Sequence, residues 1–184
     1  QVVIQATRVT SPIKIDGRLD DAAYRDIAPL TAFIQQEPEE GAPVTESTEA
    51  WVLFDDDNVY IACRCYDSDP ESIQSKDMRR DSSNQRFNDN FGVMLDTFHD
   101  RRRAYLFLVN PRGIQRDSVV TEGQGEDASF DALWDSRGQL TPTGYVVWMA
   151  IPFRSIRFAS DVTEVWGVGL TRRIPRTTEE DVWP

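Results

Sequence analysis

The chain consists mainly of short apolar segments that are separated by polar, turn-forming sequences. The clearest are residues 50–54, 59–65, 91–96, 104–109 and 145–153. Segments of this length, recurring about every ten residues, are typical of an all-β sandwich. We therefore predict one domain over residues 1–184, with two antiparallel sheets in a jelly-roll-like sandwich.

The sequence Asp55-Asp56-Asp57-Asn58 separates two of these segments. Asp and Asn side chains accept hydrogen bonds from the backbone of tight turns, so the cluster predicts a β-hairpin. A calcium site is the alternative interpretation, because calcium is held by loop carboxylates and carbonyls.

One segment has a different period. Leu19, Ala22, Ala23 and Ile27 recur at the spacing of one helix face, which predicts a two-turn helix over residues 19–27 near the N-terminus. Residues 68–90 and 121–132 are polar and show no period, so both are predicted loops. Long loops in small domains are often functional, which makes residues 68–90 a candidate site.

Composition excludes several functions. The net charge of −11 disfavours nucleic acids and anionic membrane surfaces, which bind clustered positive charge. No apolar stretch reaches the roughly 20 residues of a membrane-spanning helix. His99 is the single histidine, and phosphate-loop, serine-hydrolase, zinc-protease and dinucleotide motifs are missing. We expect a protein that is not an enzyme.

Cys63 and Cys65 are the two cysteines. On a strand their side chains share one face, and that spacing is poor for a disulfide. Two buried thiols are the first interpretation, and an unusual bridge or a reactive thiol is the alternative.

An ordered set of segments resembles the family 9 carbohydrate-binding modules. These segments are IDGRLDDAAY, TEAWVLFDDDNVYIA, NDNFGVMLD, YLFLVNPRG, GYVVWMAIPF and WGVGLTR, which together span most of the chain. The resemblance implies a β-sandwich that binds glycans or oligosaccharides without catalysis.

Two further stretches, LDTFHDRRRAYLFLVNPRGIQRD and RRIPRTTEEDVW, resemble one subgroup of that family. In that subgroup a module of this kind precedes an outer-membrane β-barrel. The resemblance therefore implies the periplasm or outer membrane of a Gram-negative bacterium. The abrupt first and last residues lead us to expect a module cut from a longer protein, with the barrel as its partner.

Sugar-binding members of the family clamp a sugar ring between aromatic side chains. The resemblance aligns the position of one clamp tryptophan with Arg86, which has Phe87 beside it. It aligns the position of the other with Trp183. The asparagine that binds sugar hydroxyls is kept as Asn110. The resemblance implies a carboxylate where this chain has Gly92 and an arginine where it has Leu108. These substitutions motivate an alternative function, a structural domain that docks on the attached barrel and has lost sugar binding.

The remaining candidates follow from the residues themselves. Trp134 comes directly after the 121–132 loop and is the best placed tryptophan for stacking on a sugar. We therefore expect carbohydrate contacts at Arg86, Asn110, Trp134 and Trp183. Four aspartates flank or belong to the 68–90 loop and are expected to hold a structural calcium ion, which some family members contain: Asp67, Asp69, Asp81 and Asp89.

Overall fold

The computed structural model describes residues 4–10, 13, 16, 19, 22–159 and 165–183. Two sheets pack face to face and enclose the main apolar core, so the predicted all-β sandwich is confirmed. In the described part of the chain, no helix is long and apolar enough to cross a membrane.

The first sheet has five strands. In spatial order they are β1 (Thr7–Arg8), β3 (Thr48–Phe54), β4 (Asn58–Tyr66), β10 (Gly144–Pro152) and β9 (Asp135–Thr141). The β3–β4 hairpin turns at the acidic cluster, as predicted: Asp55 Oδ1 accepts hydrogen bonds from the amides of Asp57 and Asn58, each at 2.8 Å. The turn therefore uses Asp55 as a structural acceptor.

The second sheet has seven strands. In spatial order they are β2 (Ile34–Glu37), β12 (Glu179–Trp183), β11 (Gly167–Ile174), β5 (Asn90–Asp96), β6 (Arg103–Val109), β7 (Gln115–Thr121) and β8 (Gly125–Asp127). The short strand β8 lies inside the predicted 121–132 loop, so that part of the loop prediction is wrong. A turn with positive φ at Gly123 and Gly125 folds the chain back onto β7. Residues 125–127 form a strand there because they pair with β7.

The helix α1 (Ala22–Asp26) lies inside the predicted 19–27 helix but is shorter. Its Tyr24 packs on the outer face of the first sheet, where a second apolar cluster includes Trp51, Tyr60 and Trp148. Trp148 Nε1 donates a hydrogen bond to the Tyr24 hydroxyl at 2.8 Å. Because the N-terminal segment covers this face, β10 is buried on both faces.

The two cysteines are free and fully buried, with their Sγ atoms 3.6 Å apart. Burial raises the pKa of the Cys63 thiol. The first interpretation from sequence, two buried thiols, is confirmed.

Candidate functional site

One end of the sandwich, which we call the loop end, is where β4 and β6 finish and β5 and β10 begin. Arg172 on β11 joins the two sheets there. Its guanidinium donates to the carbonyls of Ser47 at 3.0 Å and Tyr66 at 2.6 Å, and to Thr48 Oγ1 at 3.0 Å. Its side chain is fully buried, so the loop end has a rigid polar base.

The connection between β4 and β5 contains a groove of about 380 Å³ at the loop end. Its lining combines one aromatic ring, three side-chain amides and two charged groups. The lining residues are Gln74, Lys76, Asp77, Asn84, Phe87 and Asn88. We call this feature the Phe87 groove.

Two residues at the start of β5 join the walls of the Phe87 groove. Asn88 Oδ1 accepts hydrogen bonds from the amides of Lys76 at 2.8 Å and Asp77 at 3.2 Å. Asp89 accepts from the Gln74 amide at 2.7 Å through Oδ2 and donates its own amide to the Gln74 carbonyl at 2.8 Å. Because Asn88 and Asp89 are buried, these contacts fix residues 74–77 against the sandwich.

Phe87 ends a 3-10 turn, Ser83–Phe87, in which Ser82 Oγ accepts a hydrogen bond from the Asn84 amide at 3.2 Å. The Phe87 side chain is 60% exposed, which is unusual for so large an apolar group. Asn84 and Gln74 place amide groups in the same groove. An apolar ring beside amide donors and acceptors suits a ligand with one apolar face and many hydroxyls.

Asn110, which was predicted to read a sugar, is fully buried. Its Nδ2 donates to the Asp77 carbonyl at 2.9 Å, and its Oδ1 accepts from the amides of Arg112 at 2.9 Å and Ile114 at 3.0 Å. Asn110 therefore supports the backbone of one groove wall and is not among the lining residues.

The structure does not bring the two predicted tryptophans to the groove. Trp134 is only 6% exposed, lies edge-on to Phe107 in the core and donates its Nε1 hydrogen bond to Asp117 Oδ1 at 3.2 Å. Trp183 ends β12, pairs with Leu170 and packs, half-buried, against the same core. Arg86 belongs to the 3-10 turn before β5, and its side chain lies outside the described part of the structure.

Gly92 and Leu108, where the resemblance implied a carboxylate and an arginine, are directly opposed on β5 and β6. A Cβ at Gly92 would lie 2.4 Å from Leu108 Cδ2 and 2.8 Å from Thr171 Oγ1. Gly92 leaves no room for a side chain while Leu108 and Thr171 keep these positions, because Leu108 fills the space over Gly92. The two substitutions thus form one packed arrangement.

The structure divides the four predicted calcium ligands. Asp67 Oδ1 accepts hydrogen bonds from the Asp69 amide at 2.8 Å and from Arg176 Nη2 at 2.6 Å. Asp89 lies near Asp67, and burial raises the pKa of Asp89 to about 6. Asp81 lies apart from them, where its Oδ1 accepts from the Asp117 amide at 3.1 Å.

Among the described residues, only Asp81, Asp117 and Asp131 form a group of three carboxylates with the spacing of a metal site. Arg80 lies against all three carboxylates. Its Nη2 contacts Asp117 Oδ1 at 2.8 Å and Asp131 Oδ1 at 2.7 Å, and its Nε contacts Asp81 Oδ2 at 3.2 Å. The guanidinium offsets one of the three negative charges of this cluster.

A second buried carboxyl group lies on β12. Asp181 faces Gln35 on β2 and Arg172 on β11, and it is fully buried. Neither Asp181 oxygen accepts a hydrogen bond in the described structure. Burial and the nearby Glu179 carboxylate raise the pKa of Asp181 to about 8.

Sequence reasoning identified the loop that forms the groove but not most of its lining. Five of the six lining residues were missed, and Phe87 was noted only as the neighbour of Arg86. The available signal was that Phe87 is the one aromatic side chain between residues 68 and 90. The amides beside it come together only through the contacts of Asn88 and Asp89.

The family model described as "Carbohydrate family 9 binding domain-like" matches residues 15–180. No curated protein sequence matches the chain.

Solved structures of family 9 carbohydrate-binding modules share the fold. A module from Caldicellulosiruptor kristjanssonii in complex with cellotriose aligns with a TM-score of 0.65 and 15% identity, over 96% of this chain and 81% of that one. A family 9 module from Caldicellulosiruptor kristjanssonii in complex with glucose aligns with a TM-score of 0.66 and 16% identity, over 97% of this chain and 83% of that one. At 15–16% sequence identity, what these structures share with this chain is the fold.

Proposed function

The chain belongs to the carbohydrate family 9 binding domain-like family, and from this premise we propose that it binds glycans without catalysis in the Phe87 groove. The observation that carries the proposal is the exposed Phe87 ring in the same groove as the amides of Gln74 and Asn84. The ring would stack on the apolar face of a sugar, and the amides would bind its hydroxyls.

The groove also suits an oligosaccharide by its shape. It is open and polar, and its walls are fixed by backbone hydrogen bonds to Asn88 and Asp89. A preformed site loses little conformational entropy when a flexible sugar chain binds. The modules complexed with cellotriose and glucose support a sugar as the ligand class.

The test is a binding titration of mono- and oligosaccharides against the protein and Phe87→Ala. We expect millimolar or tighter binding to at least one glycan and a loss of about tenfold on removing the ring. Leu133→Ala is the matched control, because Leu133 is 77% exposed and lies outside the groove lining. Equal affinities of Phe87→Ala and the parent protein would contradict the assignment of the site.

We also propose a location in the cell envelope, with the module attached to an outer-membrane β-barrel in the periplasm of a Gram-negative bacterium. The support is the subgroup resemblance of residues 95–117 and 172–183. Fractionation of cells that carry the intact protein tests this proposal: recovery in the cytoplasm would contradict it.

Calcium at the loop end is a further proposal. Asp67 Oδ2 and Asp89 Oδ1 are buried oxygens with no hydrogen-bond partner, and calcium prefers oxygen donors of this kind. Asp67 and Asp89 would hold the ion, with Asp69 adjacent, whereas Asp81 is engaged by Arg80 and Asp117. Calcium should raise the melting temperature and a chelator should lower it. An unchanged melting temperature would contradict calcium binding.

Docking on the attached barrel, with sugar binding lost, is the second candidate function. The outer face of the second sheet supports it, because half-buried Met94, Leu106 and Leu108 surround Gly92 there. This face lacks the carboxylate and arginine that the resemblance implies for sugar binding. A structure of the longer protein in which this face contacts the barrel would favour docking.

A further inference from the structure

One wall of the Phe87 groove belongs to a segment, residues 74–80, that is rich in basic side chains although the protein is strongly acidic. Residues 74–80 contain Lys76, Arg79 and Arg80 but only one acid, Asp77, while the whole chain has a net charge of −11. Arg80 is neutralised by its three aspartates. In the part of the chain that the structure describes, no ion pair involves Lys76 or Arg79.

A third cation approaches the same wall from the β6–β7 turn. Arg112 Nε donates to the Ser75 carbonyl at 3.0 Å and to Ser75 Oγ at 3.1 Å. Ser75 lies between the groove residues Gln74 and Lys76, so the Arg112 guanidinium is held beside the groove. The Arg112 and Lys76 side chains are exposed, so a bound ligand can reach both charges.

The one acid of the lining is engaged by its own loop. Asp77 Oδ1 accepts a hydrogen bond from the Arg79 amide at 3.2 Å. Neither Lys76 nor Asp77 belongs to a described ion pair, but Asp77 is half-buried and held to its own loop, whereas the Lys76 side chain is exposed to a ligand. Lys76 also lies in the same groove as Phe87, so a sugar stacked on the ring would be close to a positive charge.

We propose that the groove selects a sugar unit that carries an anionic substituent, a carboxylate or a sulfate ester, over its neutral counterpart. This inference rests on the proposed glycan function and names the substrate class of the same site. The ring would lie against Phe87, and the anionic group would meet Lys76, with Arg112 beside it. An ammonium–carboxylate contact in an open groove strengthens binding modestly and weakens with salt.

The charge of the whole chain limits how many anionic groups the ligand can carry. A polyanion such as a nucleic acid, or a uniformly sulfated polymer, would meet the repulsion of a −11 protein along most of its length. The charge pattern therefore fits isolated anionic units among neutral sugars, whose single charge meets only the basic edge of the groove.

The experiment compares three matched trisaccharides by calorimetry: one with a terminal hexuronic acid, its neutral hexose analogue and its sulfated analogue. At about 20 mM NaCl we expect the anionic ligands to bind about fivefold more tightly than the neutral one. At about 300 mM NaCl the preference should fall to about twofold, because salt screens exposed charges.

Lys76→Met tests the residue that carries the selectivity. It should remove most of the preference for the anionic ligands and most of the salt dependence. Arg102→Gln, which removes one exposed charge on the β5–β6 turn outside the groove lining, should keep both. A preference that Arg102→Gln and Lys76→Met reduce equally would overturn the role of Lys76.

The outcomes separate the two proposals. Neutral and anionic ligands of equal affinity would overturn the selectivity and leave glycan binding in place. No binding of any trisaccharide, together with no binding of the wider sugar panel, would overturn the proposed function and the selectivity with it. Preference for only one of the two anionic ligands would identify which substituent the groove accepts.

Discussion

Gln74 and Asp89 are joined by two hydrogen bonds that connect a wall of the Phe87 groove to the residue directly before β5. The Asp89 amide donates to the Gln74 carbonyl at 2.8 Å, and Asp89 Oδ2 accepts from the Gln74 amide at 2.7 Å. A loop residue is thereby held in position by the edge of a packed sheet. Sites that are supported in this way by rigid elements keep their geometry before the ligand arrives.

Asn88→Ala should loosen the groove. The substitution removes the acceptor for the Lys76 and Asp77 amides and leaves both without their partner. We expect a loss of about 1–3 kcal/mol in the free energy of unfolding, measured by urea denaturation, and weaker glycan binding. Asn88→Asp retains an acceptor oxygen and should lose less. Equal losses for the two variants would contradict this role of Oδ1.

Asp181→Asn should change how stability depends on pH. The pKa of Asp181 is about 8 in the folded protein against 3.8 for an unperturbed aspartate, so in the unfolded chain this carboxyl group loses its proton at a lower pH. Its contribution is fully present below pH 3.8 and is lost as pH rises toward 8. The parent protein should therefore lose more stability over this range than Asp181→Asn. Thermal melts of both proteins across the range measure the difference, and parallel curves would contradict the prediction.

Tyr24→Phe should weaken the covering of the first sheet by the N-terminal segment. Trp148 Nε1 is buried and would lose its acceptor, the Tyr24 hydroxyl. We expect destabilisation of about 1–3 kcal/mol by urea denaturation. Tyr66→Phe is the control, because its hydroxyl makes a longer hydrogen bond, 3.3 Å, to the partly exposed Glu49. The prediction fails if the control loses as much stability as Tyr24→Phe.

Arg80→Met should destabilise the protein through the carboxylate that it leaves behind. Asp117 is fully buried, and its Oδ1 would lose the guanidinium at 2.8 Å. We expect a loss of about 2–4 kcal/mol, because removing one partner leaves a buried charge uncompensated. Arg80→Met combined with Asp117→Asn should recover part of the loss, and a double mutant no more stable than the single would contradict the explanation.

Local features of the fold were predictable from the sequence. The Asp55–Asn58 turn depends on contacts between near neighbours, and the structure confirms it. By contrast, no local pattern contains the packing that buries the outer face of β10, where Tyr24 covers Trp148 from 124 residues away. Leu19 and Ile27 fit the helical period but lie outside α1, so the local pattern alone does not set the length of so short a helix.

The candidate site was predictable only as a region. The polar 68–90 segment indicated where a site would form. The roles of single residues depended on distant partners that no local pattern contains. Asn110 is suitable by residue type to read a sugar, yet its amide is used by Asp77, Arg112 and Ile114. Trp134 is likewise suitable for stacking, yet Phe107 and Asp117 hold it inside.

The most direct test of the account is amide chemical-shift mapping of the labelled protein with millimolar cellotriose and with the hexuronic acid trisaccharide. The account predicts that the changes concentrate at residues 74–77 and 84–88, around the Phe87 groove, and that they are lost in Phe87→Ala. No change with either sugar, or changes confined to the outer face of the second sheet, would contradict glycan binding in the groove.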